Sequence, residues 1–107
     1  HDNGDVVLKA IADLVRRKVR DTDSLFRWGG EEFILMLPHT TSNEAVVLAE
    51  RIRLDIEQIV HEGIGKVTCS FGVTAYRGRE PGQVLFNRLD GLLYESKNSG
   101  RNRVTAE

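Results

Sequence analysis

One cysteine in 107 residues leaves no partner for an intrachain disulfide, which excludes the small secreted scaffolds that depend on such staples. That thiol, Cys69, alternates with Val67, Phe71 and Val73, the setting of a buried structural cysteine. No apolar run approaches the roughly 20 residues of a membrane span, and no basic-then-apolar leader opens the sequence. The expectation is a cytoplasmic, reducing setting without direct membrane contact. Charge of one sign is missing too: 15 Lys and Arg against 16 Asp and Glu leave a formal charge of -1. This balance removes the electrostatic case for general nucleic-acid binding, so any phosphate chemistry must be local. The histidines His1, His39 and His61 lack metal-ligand spacing and are expected at surface or turn positions. No internal repeat or low-complexity stretch is present.

What is present is an ordinary globular composition, 40% hydrophobic and 29% charged, at a length that suits one domain. Val6, Val7, Ala10, Ile11, Leu14, Val15 and Val19 recur at helical spacing and predict an amphipathic helix over residues 4–19. SLFRW and EEFILML flank two glycines and predict a β-hairpin, with Phe33 to Leu37 as a strand buried on both faces. Thr41 followed by Glu44 resembles a capping box, opening a second helix that carries Ala45, Leu48, Ala49, Ile52, Ile56, Ile59 and Val60 and ends near Gly63. Lys66 to Tyr76 alternates at period two and predicts a half-buried strand. A third helix runs from about Gly82 on Leu85, Leu89, Leu92 and Leu93, with Gly100 as its terminal cap, and Arg103 to Thr105 can add a last strand. The order predicts an α/β sandwich with helices packed on a sheet.

Chemistry concentrates in RWGGEEF, Arg27 to Phe33. A glycine pair lets a hairpin turn tightly and lets backbone approach a phosphate without Cβ interference. Two adjacent carboxylates, Glu31 and Glu32, repel each other unless a cation or donors stabilise them, and oxygen-seeking Mg²⁺ is a natural partner. The plain alternative is a simple hairpin turn followed by two solvated glutamates.

RWGGEEF resembles the signature of the GGDEF family of diguanylate cyclases, and the likeness extends along the chain. HDNGD resembles the family's GHxxGD segment, LPHTTSNEAVVLAERIR its Pro-then-helix segment, TCSFGV its SxGV strand, and LDGLLYESKNSGRNRV its closing ADxALYxAKxxGRNRV. The resemblance implies a palm-like, ferredoxin-like α+β sandwich on a mostly antiparallel sheet, and condensation of two GTP to cyclic di-GMP and pyrophosphate. It implies Mg²⁺ as cofactor, two per active site, with Mn²⁺ as an alternative, and a homodimer in which each protomer presents one GTP. An upstream sensory or receiver domain is implied in the parent protein.

By the same resemblance, Glu31 is the metal-binding catalytic carboxylate and Glu32 a second catalytic one that helps activate the attacking 3′-hydroxyl. Gly29 and Gly30 let the turn lie against the nucleotide. Asp5 reads guanine, consistent with a carboxylate accepting from N1 and N2 donors, the alternative being a helix-start aspartate favoured by the helix dipole. Lys97 and Arg101 contact the terminal phosphates, or complement a helix C-terminus. RDTD, Arg20 to Asp23, matches the family's RxxD motif, where bound cyclic di-GMP inhibits, and Arg51 matches a secondary contact of that site. The family also has an earlier strand with a metal-binding aspartate and a helix with a guanine-reading asparagine, and neither precedes HDNGD here. The expectation is therefore a single GGDEF domain over residues 1–107, incomplete at its N-terminus and inactive or nearly so alone, with sheet edges left open. The alternative is a non-catalytic module that binds cyclic di-GMP or GTP.

Overall fold

The computed structural model describes residues 2–107; His1 lies outside them. Asp2 caps the first helix, α1 (Asn3–Lys18), by accepting from the Asp5 backbone N–H at 2.8 Å. Arg16, Arg17 and Lys18 fill its last turn, where they complement the carbonyl end. Strands β1 (Ser24–Gly29) and β2 (Glu32–Met36) form an antiparallel hairpin. Helix α2 (Ser42–Gln58) begins on the expected capping box, with Thr41 and Glu44 bonding each other's backbone reciprocally. Strand β3 (Phe71–Val73) runs parallel to β4 (Val104–Ala106), and α3 (Gly82–Asn98) lies between them in sequence.

Ile11, Leu14 and Val15 of α1 meet Ile52 and Ile56 of α2 in the core. Leu25 and Leu35 of the hairpin pack on this cluster, as do Val67, Cys69 and Phe71 from the other side of the chain. Both strand pairs therefore cover one helix pair, which makes the chain an α+β layer structure. Among the described residues the strands remain two separate pairs, β1-β2 and β3-β4.

Four expectations are corrected. Phe33 to Leu37 is not buried on both faces: β2 is half-buried, with Met36 exposed at 54%. The strand predicted over 66–76 is reduced to Phe71–Val73, because a ladder needs a partner and β4 supplies only three residues. Helix α2 stops at Gln58 rather than near Gly63. Ile59 turns extended, and His61 and Gly65 then exchange backbone bonds at 2.8 Å across a tight loop. His61 is consequently buried, with no partner at Nε2 among the described residues, and is not a surface histidine.

Helix α3 ends as expected around Gly100, with the Arg101 N–H bonding Ser96 O at 2.9 Å. Ser96 is fully buried and donates to Phe71 O at 2.7 Å, tying the helix to β3. At the other end of α3, Arg88 grips Glu80 through two nitrogens at 2.7 and 2.9 Å and also reaches Thr74 and Ala75 O. Arg88 hydrogen bonds, with help from the Arg77 N–H, hold the Glu80 carboxyl down at about 2, against an ordinary 4.5. A carboxylate depressed on folding stabilises the fold above its unfolded pKa, and that contribution disappears as pH falls through the folded value. Glu80→Gln is therefore expected to be less stable than wild type at pH 7, with the gap closing between pH 4.5 and about 2. Urea melts at pH 7, 4 and 2.5 test this; a constant gap would assign the difference to packing instead.

Candidate functional site

The hairpin end is built by a bulge. Pairing runs in step from Ser24↔Met36 to Arg27↔Phe33 and then shifts, so Gly29 faces Glu32 and Trp28 is left over. The extra residue is not wasted, for Trp28 stacks on Phe86 of α3 with centroids 4.9 Å apart, serving as packing between hairpin and helix. The two loop residues are thus Gly30 and Glu31, not the glycine pair. Gly30 takes φ +49°, and its carbonyl accepts from Arg27 Nε at 2.7 Å. Sequence reasoning missed Arg27; its placement two residues before the glycines was the available signal.

This geometry separates the two glutamates. Glu31 sits in the exposed turn beside an open groove of about 270 Å³, which Asn3, Gly4, Val7 and Leu8 of α1 and Ile64 and Val67 also line. Glu32 starts β2 and accepts from Lys97 Nζ at 3.4 Å, so a base from the closing segment reaches the hairpin end. Burial raises the Cys69 thiol to about 11, and the nearby Glu31 charge adds to the shift, keeping Cys69 in its inert protonated form.

The remaining candidates are less converged. Asp5 is exposed in the first turn of α1, one residue from the groove-lining Gly4. Arg101 is exposed, in a left-handed conformation at φ +61°. Among the described residues no three His, Cys, Asp or Glu side chains gather to hold a metal. With Glu32 turned to Lys97, the hairpin end offers Glu31 as one carboxylate. That donor set fits Mg²⁺ arriving on a nucleotide's phosphates with its own waters, and does not fit an ion held by protein alone.

A second groove, about 240 Å³, lies at the other end of the hairpin, lined by Lys18, Val19, Arg20, Asp23, Leu37, Thr40, Glu44 and Leu48. It brings Arg20 and Asp23 together. The Asp23 side chain is only 2% exposed; its Oδ2 accepts from the Arg20 backbone N–H at 2.9 Å, while Oδ1 has no hydrogen-bond partner among the described residues. Arg20 Nη2 lies 3.5 Å from that Oδ1 and donates to Pro38 O and Thr40 Oγ1. Arg51 is exposed on α2 and does not line this groove. Asn102, which sequence reasoning passed over, joins the layers: its side chain bonds Arg53 and Glu57 of α2, and its N–H donates to Ser70 Oγ.

Residues 1–103 match the family model "Diguanylate cyclase, GGDEF domain". The chain is 45% identical over 106 residues to the diguanylate cyclase DgcM of Escherichia coli, covering 99% of this chain and 26% of that protein. Its fold superposes on the GGDEF domain of DgcB from Caulobacter crescentus, solved with c-di-GMP, with a TM-score of 0.91, 32% identity, and coverage of 99% of this chain and 66% of that one. The active GGEEF domain of a Vibrio cholerae diguanylate cyclase gives 0.88, 34%, 99% and 69% respectively. The chain belongs to the GGDEF family. It spans about a quarter of the length of DgcM. No helix among the described residues is long and apolar enough to cross a membrane.

Proposed function

We propose that this chain is the greater part of a diguanylate cyclase domain, condensing two GTP to cyclic di-GMP and pyrophosphate in a homodimer, under an upstream sensory or receiver domain. The observation that carries this reading is the Lys97–Glu32 contact, which joins two sequence-distant segments at the turn holding Glu31. In this reading Glu31 holds Mg²⁺, or Mn²⁺ in its place, on the substrate phosphates. Glu32 stays poised by Lys97 to assist the attacking hydroxyl, and Lys97 and Arg101 meet the terminal phosphates. Gly29 and Gly30 lie against the nucleotide and Asp5 reads its base. A divalent cation supplies charge neutralisation at the attacked phosphorus. One carboxylate holds Mg²⁺ weakly, so the chain by itself is expected to turn over GTP at or near zero.

The second groove supports product inhibition. Asp23 Oδ1 is a buried acceptor in want of a donor, which the N1 and N2 groups of guanine supply, and Arg20 adds a cation for guanine or phosphate. Because Arg20 and Asp23 both line this groove, a receptor for cyclic di-GMP is the second reading for the chain alone. Calorimetric titration with cyclic di-GMP, and with GTP and Mg²⁺, tests both. Cyclic di-GMP is expected to bind and Arg20→Ala to weaken it about 10- to 100-fold, the worth of charge-assisted bonds. Equal binding by wild type and Arg20→Ala would remove the inhibitory site from the proposal.

A further inference from the structure

Arg20 is the groove's long cation, and what fixes it in place is a turn that the RxxD pattern does not include. The Pro38–Thr40 turn carries His39 in a left-handed conformation at φ +54°, which brings Pro38 O and the Thr40 hydroxyl to one point. Thr40 Oγ1 donates to Pro38 O at 3.1 Å and accepts from Arg20 Nη2 at 2.6 Å, and Nη2 donates its other hydrogen to Pro38 O at 3.1 Å. Both hydrogens of Nη2 are thereby used. Among the described residues, the Nε donor and both Nη1 donors of Arg20 have no protein acceptor.

Among the described residues the Thr40 hydroxyl makes no other hydrogen bond. The cap of α2 is made entirely by its neighbour Thr41 with Glu44, so helix initiation does not depend on Thr40. The other cation lining the groove, Lys18, is ion-paired with Asp55 of α2. Arg20, by contrast, is 59% exposed, and a free arginine of that exposure samples many rotamers.

We infer that Thr40 is a positioning residue for ligand binding: with Pro38 O it pins Arg20 by one nitrogen and leaves the Nε and Nη1 donors for the anionic or carbonyl oxygens of a guanine dinucleotide. This rests on the reading of the groove as a cyclic di-GMP site. Thr40 and Pro38 O add two neutral acceptors to the 3.5 Å ion pair between Nη2 and Asp23 Oδ1, so the added anchoring brings no further negative charge to the guanidinium, and ordering the side chain in advance lowers the entropy lost on binding.

The test is titration of wild type, Thr40→Val, Thr40→Ser and Arg20→Ala with cyclic di-GMP, with a thermal melt of each. Thr40→Val is expected to bind about five- to tenfold more weakly at an unchanged melting temperature, and Thr40→Ser, which keeps the hydroxyl, to bind as wild type does. Thr40→Val binding as well as wild type while Arg20→Ala fails to bind would overturn the role of Thr40 and leave the site standing. Tighter binding by Thr40→Val would also overturn it, since Thr40 would then compete with the ligand for Arg20. If Thr40→Val melts early, Thr40→Ser decides: weak binding by a stably folded serine variant removes the hydroxyl from the explanation. Absence of cyclic di-GMP binding in the wild type would overturn the site and the inference together.

Discussion

Gly72→Ala is expected to destabilise the protein by about 3 kcal/mol, at the upper end of the range for overpacking a close-packed interior. A Cβ at this position would lie 2.7 Å from Leu93 N, and 3.0 Å from both Leu89 O and Leu92 Cβ. Two of those three atoms are helix backbone, which cannot swing aside as a side-chain tip can. The strand cannot retreat either, because Gly72 pairs with Thr105 and Phe71 O is held by Ser96. Relief must come from moving α3, and α3 carries Lys97 in its last turn. The substitution should therefore lower the melting temperature by roughly 13 °C and disturb the Lys97–Glu32 contact together with stability. Gly29→Ala provides the control, since a Cβ there meets nothing within 4 Å. If Gly72→Ala melts within a degree or two of Gly29→Ala, α3 is seated more loosely on β3 than these distances imply.

Gly72 also marks where the sequence stops being informative. TCSFGV predicts a strand by alternation, yet nothing in it says that an α-helix approaches to backbone contact, since that distance is a property of two distant segments. The same division runs through the rest of the molecule. Helix α1, the Thr41–Glu44 box, the hairpin and the Gly100 helix end were legible because periodicity, capping and turn chemistry act within a few residues. The retreat of the 66–76 strand to Phe71–Val73 was not, because strand length is set by the partner's reach. Nor was the loop pair Gly30–Glu31, which follows from the bulge at Trp28 and hence from Phe86 more than fifty residues away. For the candidate site, the motif resemblance supplied residue names, while directions came only from the fold. Adjacency left open whether a cation or donors stabilise Glu31 and Glu32, and the turn sends one to a groove and the other to Lys97.

That divergence makes the two glutamates separable by experiment, in a chain that also carries the family's earlier strand. Glu31→Ala is expected to lower GTP turnover by at least about 100-fold, because it removes the carboxylate that the hairpin end offers the metal, leaving the earlier strand's aspartate alone to hold it, and with it much of the charge neutralisation of the transition state. Its stability should stay within about 0.5 kcal/mol of wild type, since Glu31 is exposed in the turn. The turn persists in this variant, for Gly30 and its Arg27 clamp are untouched. Lys97→Ala acts differently. It releases Glu32 from its only ion pair among the described residues and withdraws a cation from the substrate phosphates, so KM should rise as kcat falls. Raising Mg²⁺ should partly restore Glu31→Ala, whose defect is metal retention, and leave Lys97→Ala unchanged. Turnover by Glu31→Ala within a few-fold of wild type would show that the metal is held without this residue, and the assignment of the hairpin end as the catalytic centre would then have to be withdrawn.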